Sequence, residues 1–304
     1  SAFILSPDGK GKIALALAIP ISANVGGMGT PIGTPPNAIA LKFLNDPEGL
    51  NMNIGFGEWM AFMIPFTIVM LFLAWLLLLK MFPFKQKTIV LEIQGEAKKD
   101  WRSIIVYITF AVTILLWMTD KVTGVNANVV AMIPVAVFCL IGVITKRDLE
   151  EISWSVLWMV AGGFALGVAL QESGLGKHLV ASIPFDTWSP MLVIVGSGLI
   201  CYTMANFISH TATAALLVPI LGTAGGAMTT QLAPLGGVST LLIGVAIGSS
   251  LAMVLPISTP PNALAHGTGL IKQKDMEVVG IIVGIAGLIF GYSMLIFLGA
   301  NGLI

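Results

Sequence analysis

Charge is scarce in this sequence. Of its 304 residues only 10% are Asp, Glu, Lys or Arg, while 56% are hydrophobic. A soluble domain carries about a quarter charged residues, so an ordinary soluble globule is excluded. The 15 basic and 15 acidic residues cancel, which removes any electrostatic case for a nucleic-acid partner. There are only two cysteines, Cys139 and Cys201, each inside an apolar run. That excludes a disulfide framework and a thiolate metal site, and both read as small core residues. The three histidines, His178, His210 and His266, have no metal-ligand spacing. His266 reads as a packing residue near the second of two helix breaks, and His178 lies in a short connector. No Walker loop and no Ser/His/Asp arrangement occurs, so an enzyme is not expected, nor an organic cofactor. No Asp or Glu falls inside the core of an apolar stretch. Asp120 and Glu172 lie at stretch ends, which disfavours a proton pump built on buried carboxylates.

Apolar length is what the chain has in plenty. Several stretches reach the 18–20 residues that cross a bilayer, so the fold class is an all-α polytopic membrane protein. A broken helix is expected over 12–45, then spans at 58–82, 103–120, 127–145 and 155–171. Two shorter arms follow, 189–207 and 211–224, then a second broken helix over 239–269 and a last span at 278–299. Trp59, Trp101, Trp154 and Trp188 lie near expected span ends, where an aromatic belt would put them.

Thr-Pro-Pro-Asn-Ala occurs twice, at 34–38 and 259–263, and each copy interrupts an apolar run. The interruptions are expected near 33–36 and 258–261. Two corresponding broken segments in two halves of a membrane chain point to a transport site. Lys10, Lys12, the six basic residues of 80–102, Lys146, Arg147, Lys272 and Lys274 fall on one side of this map. Only Lys42, Lys121 and Lys177 fall on the other, so the rich side is cytoplasmic. The two broken helices then run in opposite directions, as an inverted repeat. The short second arm, about 14 residues, falls below a full span and predicts a re-entrant hairpin.

At each break the backbone stops bonding within its own helix. Freed carbonyls near Gly33 and Ser258, with the hydroxyls of Thr34, Ser258 and Thr259, suit a hard cation. Asn37 and Asn262 are placed to tie down the unwound backbone. The hairpin turn Ser209-His210-Thr211 puts hydroxyls and an imidazole at a helix N-terminus, which suits an anion. The packing alternative stays open for each: a kinked helix at the prolines, helix capping at Ser209 and Thr211, a satisfied buried side chain at His210.

Gly33-Thr-Pro-Pro-Asn-Ala38, Ser209-His-Thr-Ala-Thr-Ala-Ala-Leu-Leu-Val-Pro219 and Leu255-Pro-Ile-Ser-Thr-Pro-Pro-Asn-Ala263 together resemble the divalent anion:sodium symporter family, along the whole chain. The resemblance implies a homodimeric elevator-type transporter for dicarboxylates, citrate or sulfate. It implies a sodium site using the Gly33 carbonyl, and a second using Ala205, Ile208, Ser258 and position 210. Substrate would meet Ser209, His210, Thr211, Thr34, Pro35, Thr259 and Pro260. The family has Asn where this chain has His210, which opens a proton-linked or altered-substrate variant. The family's first hairpin would lie upstream of residue 1, so the chain is expected to be N-terminally incomplete or one half of a split transporter.

The segments then read as follows. Residues 1–46 form the first broken helix of a transport domain, 47–82 an outer loop and span, and 83–102 a cytoplasmic linker. Residues 103–171 hold spans of the second repeat, and 172–187 an amphipathic connector. The hairpin occupies 188–224, the second broken helix 225–270 and the last span 271–304. The expected function is sodium-coupled transport of small di- or tricarboxylates across the cell inner membrane. A sodium-independent exchanger or sulfate transporter is the near alternative. A non-transporting membrane subunit that needs a partner is the alternative of another class.

Overall fold

The structure, a computed structural model, describes residues 9–47, 49–84, 100–152, individual positions between 154 and 174, and 188–304. Most of the linker, the connector with His178, and much of the expected span at 155–171 lie outside the described residues. Among the described residues the chain is helical and carries no strand.

Among the described residues four helices are each long and apolar enough to cross a bilayer: α3 (Phe56–Met81), α4 (Trp101–Met118), α6 (Pro190–Phe207) and α10 (Gln273–Ala300). Their boundaries fall within a few residues of those expected, except that α10 starts five residues earlier. The chain is an integral, multi-pass membrane protein. A shorter helix, α5 (Ala127–Leu140), pairs with α4. Asp120, between them, accepts a hydrogen bond from the Phe56 amide at 2.7 Å, capping α3. That carboxylate serves a helix start. Phe56 also stacks on Trp117, ring centroids 4.9 Å apart.

Both broken helices form, but the prolines do not sit in the unwound part. The first consists of α1 (Gly9–Gly27) and α2 (Pro35–Leu44), the second of α8 (Gly237–Ser250) and α9 (Pro260–Gly267). In each copy the two prolines occupy the first two positions of the second half-helix, after a threonine N-cap. Proline is favoured there, because its φ is preset and the missing N–H has no intrahelical partner anyway. The unwound segments are therefore 28–34 and 251–259, each displaced toward the N-terminus of the expected break. A single 3-10 turn, Pro256–Ser258, lies in the second.

Helix α8 is the centre of the molecule. Every residue from Val238 to Ser250 is buried, as befits a helix that is apolar all round. It packs against α2, α6, α10 and α7 (His210–Ala227). Its 14 residues rise only about 21 Å, so it ends inside the protein. The halves of the two broken helices cross-pair: α1 lies against α9, and α2 against α8. Antiparallel broken helices meet in that way, first half against second half.

Helices α6 and α7 pack together and are joined only by Ile208 and Ser209. The second arm is 18 residues long, longer than expected, because the helix continues through Gly225 and Gly226. Arm length therefore does not separate a re-entrant hairpin from two crossings. The tip abuts the break between α8 and α9. After Ala227 the chain bends by 90° into Thr229–Leu235.

Two side-chain expectations change. Trp59 is fully buried, so it is no member of an aromatic belt. Cys139 is exposed, whereas Cys201 is buried as expected.

Candidate functional site

The two breaks are built by the same device. The Asn37 Nδ2 group donates to the carbonyls of Met28 at 3.2 Å and Thr30 at 2.9 Å, and lies 3.4 Å from that of Gly27. The Asn262 Nδ2 group donates to the carbonyls of Met253 at 2.9 Å and Leu255 at 3.1 Å. The sequence separations are nine and seven in both copies. Each asparagine thus reaches back from the second half-helix and gathers the carbonyls that unwinding has freed, which would otherwise be buried without donors. Thr34 and Thr259 have nearly equal backbone angles, φ −143° and −146°.

The first loop is also closed by glycine. A Cβ on Gly33 would collide with the carbonyl oxygen of Gly27, and one on Gly27 would lie 2.7 Å from the carbonyl oxygen of Gly33. Only two glycines allow that approach. The buried Trp59 indole donates to the Met28 carbonyl at 3.2 Å and braces the same loop from α3.

Side chains join the two breaks directly. Thr34 Oγ1 lies 3.2 Å from Ser250 Oγ, the last residue of α8. Asn24, near the end of α1, donates to Asn262 Oδ1 at 3.0 Å. The Asn24 bond uses the one part of Asn262 that its own loop leaves free. Asn37 Oδ1, the equivalent atom, is buried and finds no partner among the described residues.

The hairpin tip sits on the second break. Ser209 is the N-cap of α7, and its Oγ accepts from the Ala212 amide at 3.1 Å. The His210 ring is buried, and its Nε2 lies 2.6 Å from the Ala252 carbonyl oxygen. Since a carbonyl can only accept, Nε2 carries the proton. Four residues earlier, Asn206 Oδ1 accepts from the Val254 amide at 2.9 Å. Thr211 is buried beside His210, and Thr213 Oγ1 is buried with no partner among the described residues.

The expected site residues fall into two groups. Thr34, Asn37, Ser258, Thr259, Asn262, His210 and Thr211 are buried around the breaks, and Ser209 is half-buried at the tip. Pro35 is half-buried, while Gly33 and Pro260 are exposed. Ala205 is buried near the end of α6, and the Ile208 side chain points outward, 53% exposed. The last carbonyls of α6 have no following turn of their own helix. Ser258 Oγ donates to the Leu255 carbonyl at 2.7 Å, within its own turn. The break atom that the hairpin addresses is therefore the Ala252 carbonyl.

Sequence reasoning missed Asn24, Asn206, Ser250, Ala252 and Trp59. A signal existed for the first three: each is a polar residue within an otherwise apolar run, a few residues from a motif. Ala252 carries no such mark, because its contribution is a backbone atom.

No group of His, Cys, Asp and Glu capable of holding a metal occurs among the described residues. The donors gathered here are carbonyls, hydroxyls and amides. That set suits a weakly held hard cation and an anion better than a transition metal.

Comparison with known proteins gives consistent matches. Residues 9–301 match the family described as the sodium:sulfate symporter transmembrane region. An uncharacterized transporter of Haemophilus influenzae is 31% identical over 295 residues, covering 91% of this chain and 61% of that protein. A sodium-dependent dicarboxylate transporter of Staphylococcus aureus is 32% identical over 325 residues, covering 96% of this chain and 61% of that protein. Its counterpart in Staphylococcus saprophyticus is 29% identical, with 95% and 59% covered. The chain spans about three-fifths of the length of the curated relatives it matches.

Proposed function

The chain belongs to the sodium:sulfate symporter family, and on that premise we propose that it carries small dicarboxylates across a bacterial inner membrane, coupled to sodium. The observation that supports this most is the pair of asparagine-clamped breaks held back to back, with a hairpin tip on one of them. The staphylococcal relatives, sodium-dependent dicarboxylate transporters, make sodium and dicarboxylate the ligands to try first.

The division of labour follows from the chemistry of helix ends. An N-terminus attracts anions through its dipole and its free amides. In α2 and α9 the two prolines remove amide donors, so those ends act through the dipole and the hydroxyls of Thr34 and Thr259. The α7 end keeps the amides of His210 and Thr211, and Ser209 and Thr211 add hydroxyls. A substrate carboxylate would bind between these three ends, at Ser209, His210, Thr211, Thr34-Pro35 and Thr259-Pro260. Sodium would use the Gly33 carbonyl at the first break; the second site that the resemblance implies, at Ala205, Ile208, Ser258 and His210, already has the imidazole on its Ala252 carbonyl. Cation binding comes first in this scheme, because burying an uncompensated dianion costs several kcal/mol. Transport by an elevator movement in a homodimer completes the proposal.

Uptake of labelled succinate into proteoliposomes tests it. Saturable uptake, stimulated by an inward sodium gradient over a potassium one, is expected. Uptake that ignores sodium would end the symport reading in favour of exchange. Competition by citrate and sulfate ranks the anions.

A further inference from the structure

We propose that the His210 imidazole is a tethered substitute for a cation at the second break, so that this break takes no sodium. The consequence for coupling rests on the transport reading; the geometry does not.

Unwinding at 251–259 frees a run of carbonyls, and side chains meet three of them: Ala252, Met253 and Leu255. Asn262 takes those of Met253 and Leu255. The carbonyl of Ala252 is met by His210 Nε2 at 2.6 Å, among the shortest hydrogen bonds in the site. A cation at this break would bridge the end of α6 to the unwound segment by drawing on carbonyls of both. The imidazole spans the same gap from the hairpin side and directs its N–H at the oxygen such a cation would need. The imidazole N–H, with its partial positive charge, and a sodium ion cannot both occupy that approach to the oxygen. Asn206 Oδ1 holds the adjacent amide of Val254, so the tip is fastened to the break at two neighbouring points without an ion. The first break differs. The Gly27 carbonyl, at the position equivalent to Ala252, has only the 3.4 Å contact with Asn37, and no ring reaches it among the described residues.

Two measurements on the purified protein, neither needing substrate, test the inference. In the first, histidine is labelled with nitrogen-15 and sodium is raised from zero to about 150 mM against choline. The His210 signal, assigned by its loss in His210→Asn, should keep Nε2 in the N–H form and should not move. Movement of that signal on adding sodium overturns the proposal. In the second, melting temperature is followed over the same titration. His210→Asn should acquire a sodium-dependent rise on the order of 4 °C beyond whatever rise the parent protein shows. A folded His210→Asn protein whose melting responds to sodium no more than the parent's does also overturns it. Failure of anion uptake would end the transport reading and leave both results standing. Displacement of the imidazole by sodium would end this inference and leave transport standing.

Discussion

Replacing Asn262 by alanine should be among the most damaging single changes near the site. Asn262 is 2% exposed. Its Nδ2 serves the Met253 and Leu255 carbonyls, and its Oδ1 accepts from Asn24. Alanine leaves two carbonyls and one amide N–H without partners in a buried place. At about 1–2 kcal/mol for each orphaned group the loss comes to about 4 kcal/mol. Partial rescue by water lowers that figure at the exposed edge. Asn24→Ala removes only the bridge between the breaks and should cost about 1 kcal/mol. The double variant should cost about 1 kcal/mol less than the sum of the singles, because the bridge is lost once. Unfolding by SDS in mixed micelles, followed by tryptophan fluorescence, measures all four proteins. A loss below about 1 kcal/mol for Asn262→Ala, or exact additivity in the cycle, would refute the view that this side chain holds the second break together.

Four further outcomes are expected. Gly33→Ala should destabilise by about 1–3 kcal/mol, since the new methyl meets the Gly27 carbonyl; melting in detergent reads it, and an unchanged melting temperature would deny the closed first loop. Tyr292→Phe should be neutral or slightly stabilising, because the buried hydroxyl finds no partner among the described residues and removing both an orphan and its oxygen costs little. Gly198→Ala, which drives a methyl into that same ring, should instead lower stability sharply in the same melts. N-ethylmaleimide should modify one thiol in the folded protein and two after denaturation, because Cys139 is exposed and Cys201 buried; mass spectrometry counts the adducts, and early labelling of Cys201 would contradict the packing of α6 on α8.

What could be read from sequence and what could not divide along a physical line. Long apolar runs announce spans because a bilayer leaves a helix no other way to satisfy its backbone. The duplicated Thr-Pro-Pro-Asn-Ala announces two breaks because proline cannot sit inside an α-helix without loss. The same motif misled about where each break lies. Proline is equally at home as the first residue of a helix, and only the neighbouring elements choose between the two roles. Asn37 and Asn262 were legible as clamps, but their acceptors were not. A carbonyl nine residues away becomes a partner only when the loop between has closed, as Gly27 and Gly33 allow.

Composition and pattern alone therefore determined a helical membrane protein with two matching interruptions and a polar turn. Tertiary structure decided which atoms those features bring together. It set the hairpin tip on Ala252, the Thr34 hydroxyl on Ser250, Asn24 on Asn262, and Trp59 on the Met28 carbonyl. These contacts join residues 31 to 238 positions apart. The reason is that a local sequence specifies its own helix and its own break, whereas backbone carbonyls look alike in every residue. Which of them faces a donor depends on how distant helices pack.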